Sequence, residues 1–458
     1  TDEHGQKVLK VSQDKGLSPI EFADSMIPYF KEAWKKLNVS YDDFIRTTEK
    51  RHIDTVQYVL QTLYDKGDIY LGEYEGLYCI PCEVFWTEKQ VINNLCPDCK
   101  RPVEKIKETN YFFKISDYKD WLFDYIKKNP FFIMPAQRQH EALSFLVLGL
   151  NDLCISRPKS RMSWGIPLPF SSDHVTYVWF DALINYISAL GYPNNAEKFK
   201  KYWPESVHLI GKDILKQHAI FWPIMLHALD EEINLPKTIF AHGWWQVGRE
   251  KMSKSLGNVV NPLDVIDEFG IDVFRYFLLR EVPFGSDGVF SREAVIKRFN
   301  ADLANDLGNL VYRTLTMIEK HCNGRIPILN NALLDSFAKE KIMPFLDNAA
   351  GIKPDITGLG VDVDNQMKLF NFSGALEAIW VLIGHANKYI EETKPWNLKK
   401  ENKMQELENF LALLVVVIRT VAHEILPFMP QTASRIMSQI KSDHVEKSEP
   451  LFPRIIPA

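Results

Sequence analysis

Val207-His208-Leu209-Ile210-Gly211-Lys212-Asp213 is the stretch whose reading decides the fold. Its first five residues form an apolar strand pattern that ends at a glycine, and a helical pattern over Asp213–Leu229 follows directly. Strand, tight turn and helix N-terminus in that order mark the ligand edge of a parallel α/β sheet. Thr238 to Ala241 reads as a second such strand, with His242-Gly243 at its end. Toward the N-terminus, Thr1–Ser12 is expected to be the end of a strand and a polar turn. Ser18-Pro19-Ile20-Glu21 then opens a helix, with Ser as N-cap, Pro at the first helical position and Glu closing a capping box. Helical patterns run on to about Asp65. Residues 67–115 change character: Gly67, Gly72, Gly76, four cysteines and short aromatic or β-branched runs predict a small β-rich insertion. Helical sequence returns over Trp121–Lys127. Toward the C-terminus, Asn261-Pro262 starts a helix that runs to Phe269 and stops at Gly270. Beyond Ser291 the strand pattern disappears, and helices are predicted over 292–322, 365–392, 404–425 and 430–440, with a loop at 351–362. An α/β half followed by an all-helical half argues for separate domains, and there is no internal repeat.

The 458 residues suffice for two or three domains, and 46% apolar with 25% charged residues is an ordinary globular balance. Lys+Arg 54 against Asp+Glu 59 gives a net charge of −5, so a nucleic-acid partner would have to be met by local basic patches. The longest apolar run, Leu411–Ile418, is broken by Arg419 and is far short of a membrane span. No signal peptide is visible, and a cytoplasmic location is expected. Four of the six cysteines form two close pairs, Cys79-x2-Cys82 and Cys96-x2-Cys99. Four thiolates at that spacing surround Zn²⁺ tetrahedrally, and a closed set of four implies a structural ion. Pro81 and Pro97 stiffen the turns beside them. Cys154 and Cys322 read as core residues.

Lys251-Met252-Ser253-Lys254-Ser255 places two ammonium groups three residues apart on a short loop with small hydroxyl residues. Such a loop suits a mobile clamp for a polyphosphate, because Lys is a compact charge that can follow a moving phosphate. Together with Thr1-Asp2-Glu3-His4-Gly5, the cysteine pairs, Tyr177-Val178-Trp179-Phe180-Asp181-Ala182, Ile210-Gly211-Lys212-Asp213 and Phe221-Trp222-Pro223, all in one order, it resembles the class I aminoacyl-tRNA synthetases, and among them the methionyl-tRNA synthetases, over essentially the whole chain. Spacing adds to the resemblance. Trp179, Ala182 and Tyr186 fall at i, i+3 and i+7, and Ile214, His218 and Trp222 at i, i+4 and i+8, so each trio shares a helix face. The plain alternative is core packing. As facing stripes they would enclose a slot for a long thioether, which aromatic rings favour over a plain hydrocarbon. The resemblance puts methionine-pocket positions on these six residues, although Leu183 stands where relatives often carry Pro.

The resemblance further implies that Asp2 pairs with the substrate's α-ammonium. It implies that Gly211, Asp213, His242 and Gly243 approach ATP, which enters with Mg²⁺, and that Lys251 and Lys254 stabilise charge passing onto pyrophosphate. Asn309 and Arg313, four apart on one helix, and Trp396 match positions that read the anticodon; an amide, a guanidinium and an indole suit unpaired bases. The expected reaction is ATP-dependent activation of methionine and transfer to tRNA(Met), releasing AMP and pyrophosphate, by a monomer. The expected organisation is a Rossmann-like parallel-sheet catalytic domain over 1–65 and 141–235, a zinc-binding connective insertion over 66–140, a linker domain bearing the lysine loop over 236–290, and an α-helical anticodon-binding bundle over 291–458. A His-x-Gly-His turn that the family carries upstream of the Thr1–Gly5 match is absent from the sequence as written. A segment preceding Thr1 is therefore expected, and part of the active site with it. The rival reading is a non-catalytic tRNA-binding scaffold that kept the fold.

Overall fold

The computed structural model describes residues 1–79, 84–86, 91, 93–97, 100–248, 250–252, 258–346, 358–441, 443–446 and 449–456. The chain divides into two compact units, Thr1–His242 and Gly243–Ala458. The first is mixed α/β. Its centre is a parallel sheet in which Thr238–His242 lies between Val207–Gly211 and Ile133–Met134. All three strands are short; the central one, Thr238–His242, is buried along most of its length, while the edge strand Val207–Gly211 alternates exposed Val207 and Leu209 with buried His208 and Ile210. The sequence assigns Ile133–Met134 to the insertion; the fold pairs it with this sheet, and Leu122, Ile126 and Ala142 beside it are fully buried in the same core.

Helices of this unit begin where their caps dictate. Pro19–Lys36 starts at Ser18, whose hydroxyl accepts from the Glu21 amide while the Glu21 carboxylate accepts from the Ser18 amide. Gln6–Asp14 is a helix, where the end of a strand and a polar turn are expected over Thr1–Ser12. The insertion is a long antiparallel ribbon, Ile69–Cys79 against Glu104–Phe113, with Val84–Trp86 on one side and Leu153–Cys154 on the other.

The helix expected over Asp213–Leu229 is built in three pieces. A 3₁₀ turn covers Lys212–Ile214, a π-helical turn covers Gln217–Phe221, and a regular α-helix covers Trp222–Leu229. Pro223 explains the wide turn. It has no N–H to give to the Ala219 carbonyl, and its ring would collide with that carbonyl in a regular helix. The Trp222 amide reaches back to the Gln217 carbonyl instead.

The second unit opens with a three-stranded sheet in which Trp245–Val247 pairs antiparallel with Glu250–Lys251 and parallel with Gly288–Phe290. Gly243 leads into it with its α-carbon against another backbone; a Cβ there would lie 2.2 Å from the Ser286 carbonyl oxygen. The rest is helical: Pro262–Phe269, Ile271–Arg280, Arg292–Arg298, Asn309–Cys322, Gly358–Lys368, Phe372–Thr393, Met404–Glu424 and Pro430–Gln439. Their apolar stripes meet in one core, where Leu307, Leu376, Leu411 and Ile418 are fully buried. The predicted helix 292–322 is interrupted by a π segment, Phe299–Gly308, which ends where the missing Cβ of Gly308 leaves room for the Leu303 carbonyl. Part of the predicted loop 351–362 is helix, beginning at Gly358. Among the described residues no helix is long and apolar enough to cross a membrane.

Candidate active site

The site grows from the C-terminal edge of the parallel sheet, where Gly211 and His242 sit opposite each other in register. Asp213, exposed on the turn that follows, folds its carboxylate over Gly211; a Cβ on Gly211 would lie 2.5 Å from Oδ1. Beyond the turn come Ile214, His218 and Trp222. The helix Val178–Leu183, which carries half-buried Trp179 and Ala182, packs against the π turn Gln217–Phe221, and Tyr186 follows on the next helical turn, Asn185–Ser188. Across the two stripes, Tyr186 meets His218 and Trp222.

Tyr186, His218 and Trp222 come together around a fourth residue, His208, to which the sequence reading gave no role. The Tyr186 ring stacks on His208 at 4.0 Å between centroids, and Trp222 donates its indole N–H to His208 Nε2 at 3.0 Å. Tyr186 Oη lies 2.8 Å from His218 Nε2, and His218 Nδ1 lies 3.0 Å from the Ile214 carbonyl. A carbonyl can only accept, so Nδ1 carries the proton and Nε2 accepts from the tyrosine. Burial pushes His208 down to about 3 and His218 down to about 4, and it pushes the Tyr186 phenol up to about 12. All four side chains are thus neutral over the physiological range. A polar strand residue inside an apolar run was the signal for His208, since buried imidazoles need partners.

Asp2 is exposed, whereas Glu3, His4 and Gly5 beside it are buried. The segment is held on both flanks. The Thr47 amide donates to the Thr1 carbonyl at 3.1 Å, and the Trp164 indole donates to the Glu3 carbonyl at 2.7 Å. Burial pushes the Glu3 carboxyl up, but hydrogen bonds from Arg46, Thr48 and Thr1 together outweigh it and hold the group below the usual carboxylate range.

Lys251 lies in the second unit with its backbone paired to Gln246. Its side chain and all of Lys254 lie outside the described residues, as do Cys82 and Cys99. The other two cysteines of the knuckles, Cys79 and Cys96, are fully buried. Around Cys96 the chain closes tightly: the Cys96 amide donates to the Arg101 carbonyl at 2.8 Å, the Lys100 amide to the Cys96 carbonyl at 2.9 Å, and Lys100 adopts φ 59°. A buried sulfur on so tight a turn fits a thiolate knuckle.

In the helical unit, Asn309 and Arg313 stand one turn apart on Asn309–Cys322. Arg313 pairs with Glu391 at 2.6 Å, and Trp396, 46% exposed, follows on the short helix Pro395–Lys400.

A parallel sheet with a glycine-turned edge and a neutral aromatic cluster beside it, followed in the chain by a helical unit, is the arrangement expected of a class I aminoacyl-tRNA synthetase. Residues 1–105 and 102–315 match the family described as tRNA synthetases class I (M), and residues 360–451 match the anticodon binding domain of methionyl tRNA ligase. The methionine–tRNA ligase of Clostridium tetani is 50% identical over 99% of this chain and 72% of its own length, and that of Fusobacterium nucleatum is 48% identical over 96% and 68%. Mycobacterium tuberculosis methionyl-tRNA synthetase in complex with methionyl-adenylate superposes with a TM-score of 0.90 at 37% identity, covering 99% of this chain and 91% of that one. The chain belongs to the methionine–tRNA ligase family.

Proposed function

We propose that the protein activates L-methionine with ATP to methionyl-adenylate and transfers the methionyl group to tRNA(Met), releasing AMP and pyrophosphate. The observation that carries this reading is the neutral cluster of Tyr186, His208, His218 and Trp222 next to the Gly211–Asp213 turn. A slot without net charge excludes Lys- and Glu-like side chains, and its rings favour a polarizable sulfur by about 0.3–1.5 kcal/mol per contact. Trp179, Ala182 and Ile214 complete its walls.

Asp2, on the open side of a segment whose other residues are anchored, pairs with the α-ammonium and turns the methionine carboxylate toward ATP. That carboxylate attacks the α-phosphorus, forming the acyl–phosphate bond as the bond to pyrophosphate breaks. No protein nucleophile takes part, so positioning and electrostatics supply the rate. Gly211 and His242 flank the nucleotide, with Gly243 next in the chain, and Asp213 accepts from the ribose hydroxyls. ATP enters as its Mg²⁺ complex, and Lys251 and Lys254 meet the charge leaving on pyrophosphate. In the second step the tRNA 3′ hydroxyl attacks the activated carbonyl and AMP leaves. Asn309, Arg313 and Trp396 read the anticodon. Cys79, Cys82, Cys96 and Cys99 would hold a Zn²⁺ ion that fixes the fold of the insertion. The protein works as a monomer in the cytoplasm.

Methionine-dependent ATP–pyrophosphate exchange tests the reading, and no exchange above background by the full-length protein would refute it. Lys254→Ala should lower the exchange kcat roughly 10²–10³-fold, the cost of removing one group that stabilises transition-state charge, with the Kd for methionine unchanged. Equal losses in both would make the loop structural.

A further inference from the structure

Asp181 has 0% exposure and lies one residue from Ala182 and two from Trp179, on the helix that walls the slot. Its two oxygens are used by two histidines from distant parts of the chain. His4 Nδ1 lies 2.6 Å from Oδ2, and His52 Nε2 lies 2.6 Å from Oδ1. The His52 ring is itself fixed at its other nitrogen, 2.9 Å from the Ser188 hydroxyl. His4 packs on Trp164 at 5.2 Å between centroids, and the Gly5 amide donates to the Trp164 carbonyl. Burial pushes the Asp181 carboxyl up, but the hydrogen bonds from His4 and His52 together hold it below the usual carboxylate range. A carboxylate kept ionised without solvent is expensive unless both oxygens are satisfied by well-placed donors. Three elements meet at this one group: the Thr1–Gly5 segment, the helix Lys50–Asp65 and the helix Val178–Leu183.

We propose that Asp181 is a positioning residue for methionine activation, which through His4 fixes the distance between Asp2 and the aromatic slot. The thioether and the ammonium of one substrate must be gripped at once, by the slot and by Asp2, and Asp181 joins the elements that carry the two grips. This rests on the assignment of Asp2 to the α-ammonium. Asp181 touches no substrate atom; it acts by holding His4 two residues from Asp2.

The test is a double-mutant cycle in ATP–pyrophosphate exchange with the full-length protein, read as KM for methionine and for ATP. A second readout is the inhibition constant of the methionine analogue that lacks only the α-amino group. Asp181→Asn should raise KM for methionine about tenfold, the scale of one charge-assisted hydrogen bond. KM for ATP and the analogue's inhibition constant should move less than about twofold. Added to Asp2→Asn, it should cost less than about twofold more, because coupled residues are non-additive. Full additivity, or equal weakening of the analogue, overturns the proposal. Asp2→Asn leaving KM for methionine unchanged would instead overturn the ammonium assignment, and this proposal with it. Should Asp181→Asn not fold, His4→Gln carries the test. It should give the same methionine-specific loss, and its failure to do so is equally decisive.

Discussion

His208 and His218 both pack against Tyr186, with their own ring centroids 6.4 Å apart, and the neutrality of the cluster depends on both. Each has a folded pKa below the ordinary value of 6.5, about 3 for His208 and about 4 for His218, because burial penalises the imidazolium. Below pH 6.5 the unfolded chain therefore binds protons that the folded chain refuses, and stability falls as the pH drops. At pH 5 each histidine costs about 2 kcal/mol by this linkage. Asp181 has the opposite sign. Its depressed pKa contributes stability above the ordinary carboxylate range, and that contribution is lost only at more acid pH, outside this window. His208→Gln should thus narrow the difference in urea stability between pH 7 and pH 5 by about 2 kcal/mol, even if it weakens the fold at pH 7. An unchanged difference would mean that His208 is charged in the native state. Spacing placed Tyr186 on one helix face and His218 with Trp222 on another, which core packing would equally explain; only the family resemblance marked them as pocket positions. The role of Asp181 was not legible in the sequence, because its partners lie 129 and 177 residues away and no local pattern links them.

At the scale of elements, the strands Val207–Gly211 and Thr238–His242 were legible because a short apolar run ending at Gly or His-Gly leaves little choice. The π turn was not. Hydrophobic spacing cannot distinguish a regular helix from one with an extra residue per turn, and a proline at the first turn of a helix, where it is well tolerated, does not by itself signal one. The turn has a geometric consequence for the slot. In a regular helix, four residues overshoot a full turn by roughly 40°, so Ile214, His218 and Trp222 would drift around the axis. One wider turn cancels part of that drift and returns Trp222 toward His218. Such turns recur at functional sites. Pro223→Ala restores the N–H donor and removes the ring clash, which allows the regular ladder to form. We expect the variant to be as stable as the parent or more so, while KM for methionine rises because the Trp222 indole loses its register with His208. A raised KM without lost stability in thermal melts would support the account; an unchanged KM would remove it. The misread helix Gln6–Asp14 has a different cause. Val8 and Val11 favour strand locally, and the helix forms despite that preference.

At the scale of the molecule, the two units have separate apolar cores, so a change in one can be read without collapse of the other. In the helical unit, Phe299–Cys322 and Phe372–Thr393 run side by side in the same direction: Trp380 donates to the Asp302 carbonyl, Asn387 to the Asp306 carbonyl, and Arg313 to Glu391. Arg313 and Trp396 therefore lie toward the same end of the unit, where Lys394, Lys399 and Lys400 are exposed as well. The helices and their amphipathic stripes were legible from sequence; this convergence was not, since it depends on which helices run parallel. The Arg313–Glu391 pair is partly solvated, and such pairs contribute no more than about 1 kcal/mol, so the guanidinium is cheaply released to a base. Trp396, nearly half exposed and outside the core cluster, costs little fold stability to remove. Stacking of a base on an indole is worth about 1–3 kcal/mol. Trp396→Ala should accordingly lower kcat/KM for tRNA about 5- to 150-fold, that energy converted at 1.4 kcal/mol per decade. Thermal melting and methionine-dependent pyrophosphate exchange should stay at parental values. Loss of exchange together with charging would show that the helical unit is needed to keep the adenylation site intact, and an unchanged tRNA response would remove Trp396 from anticodon recognition.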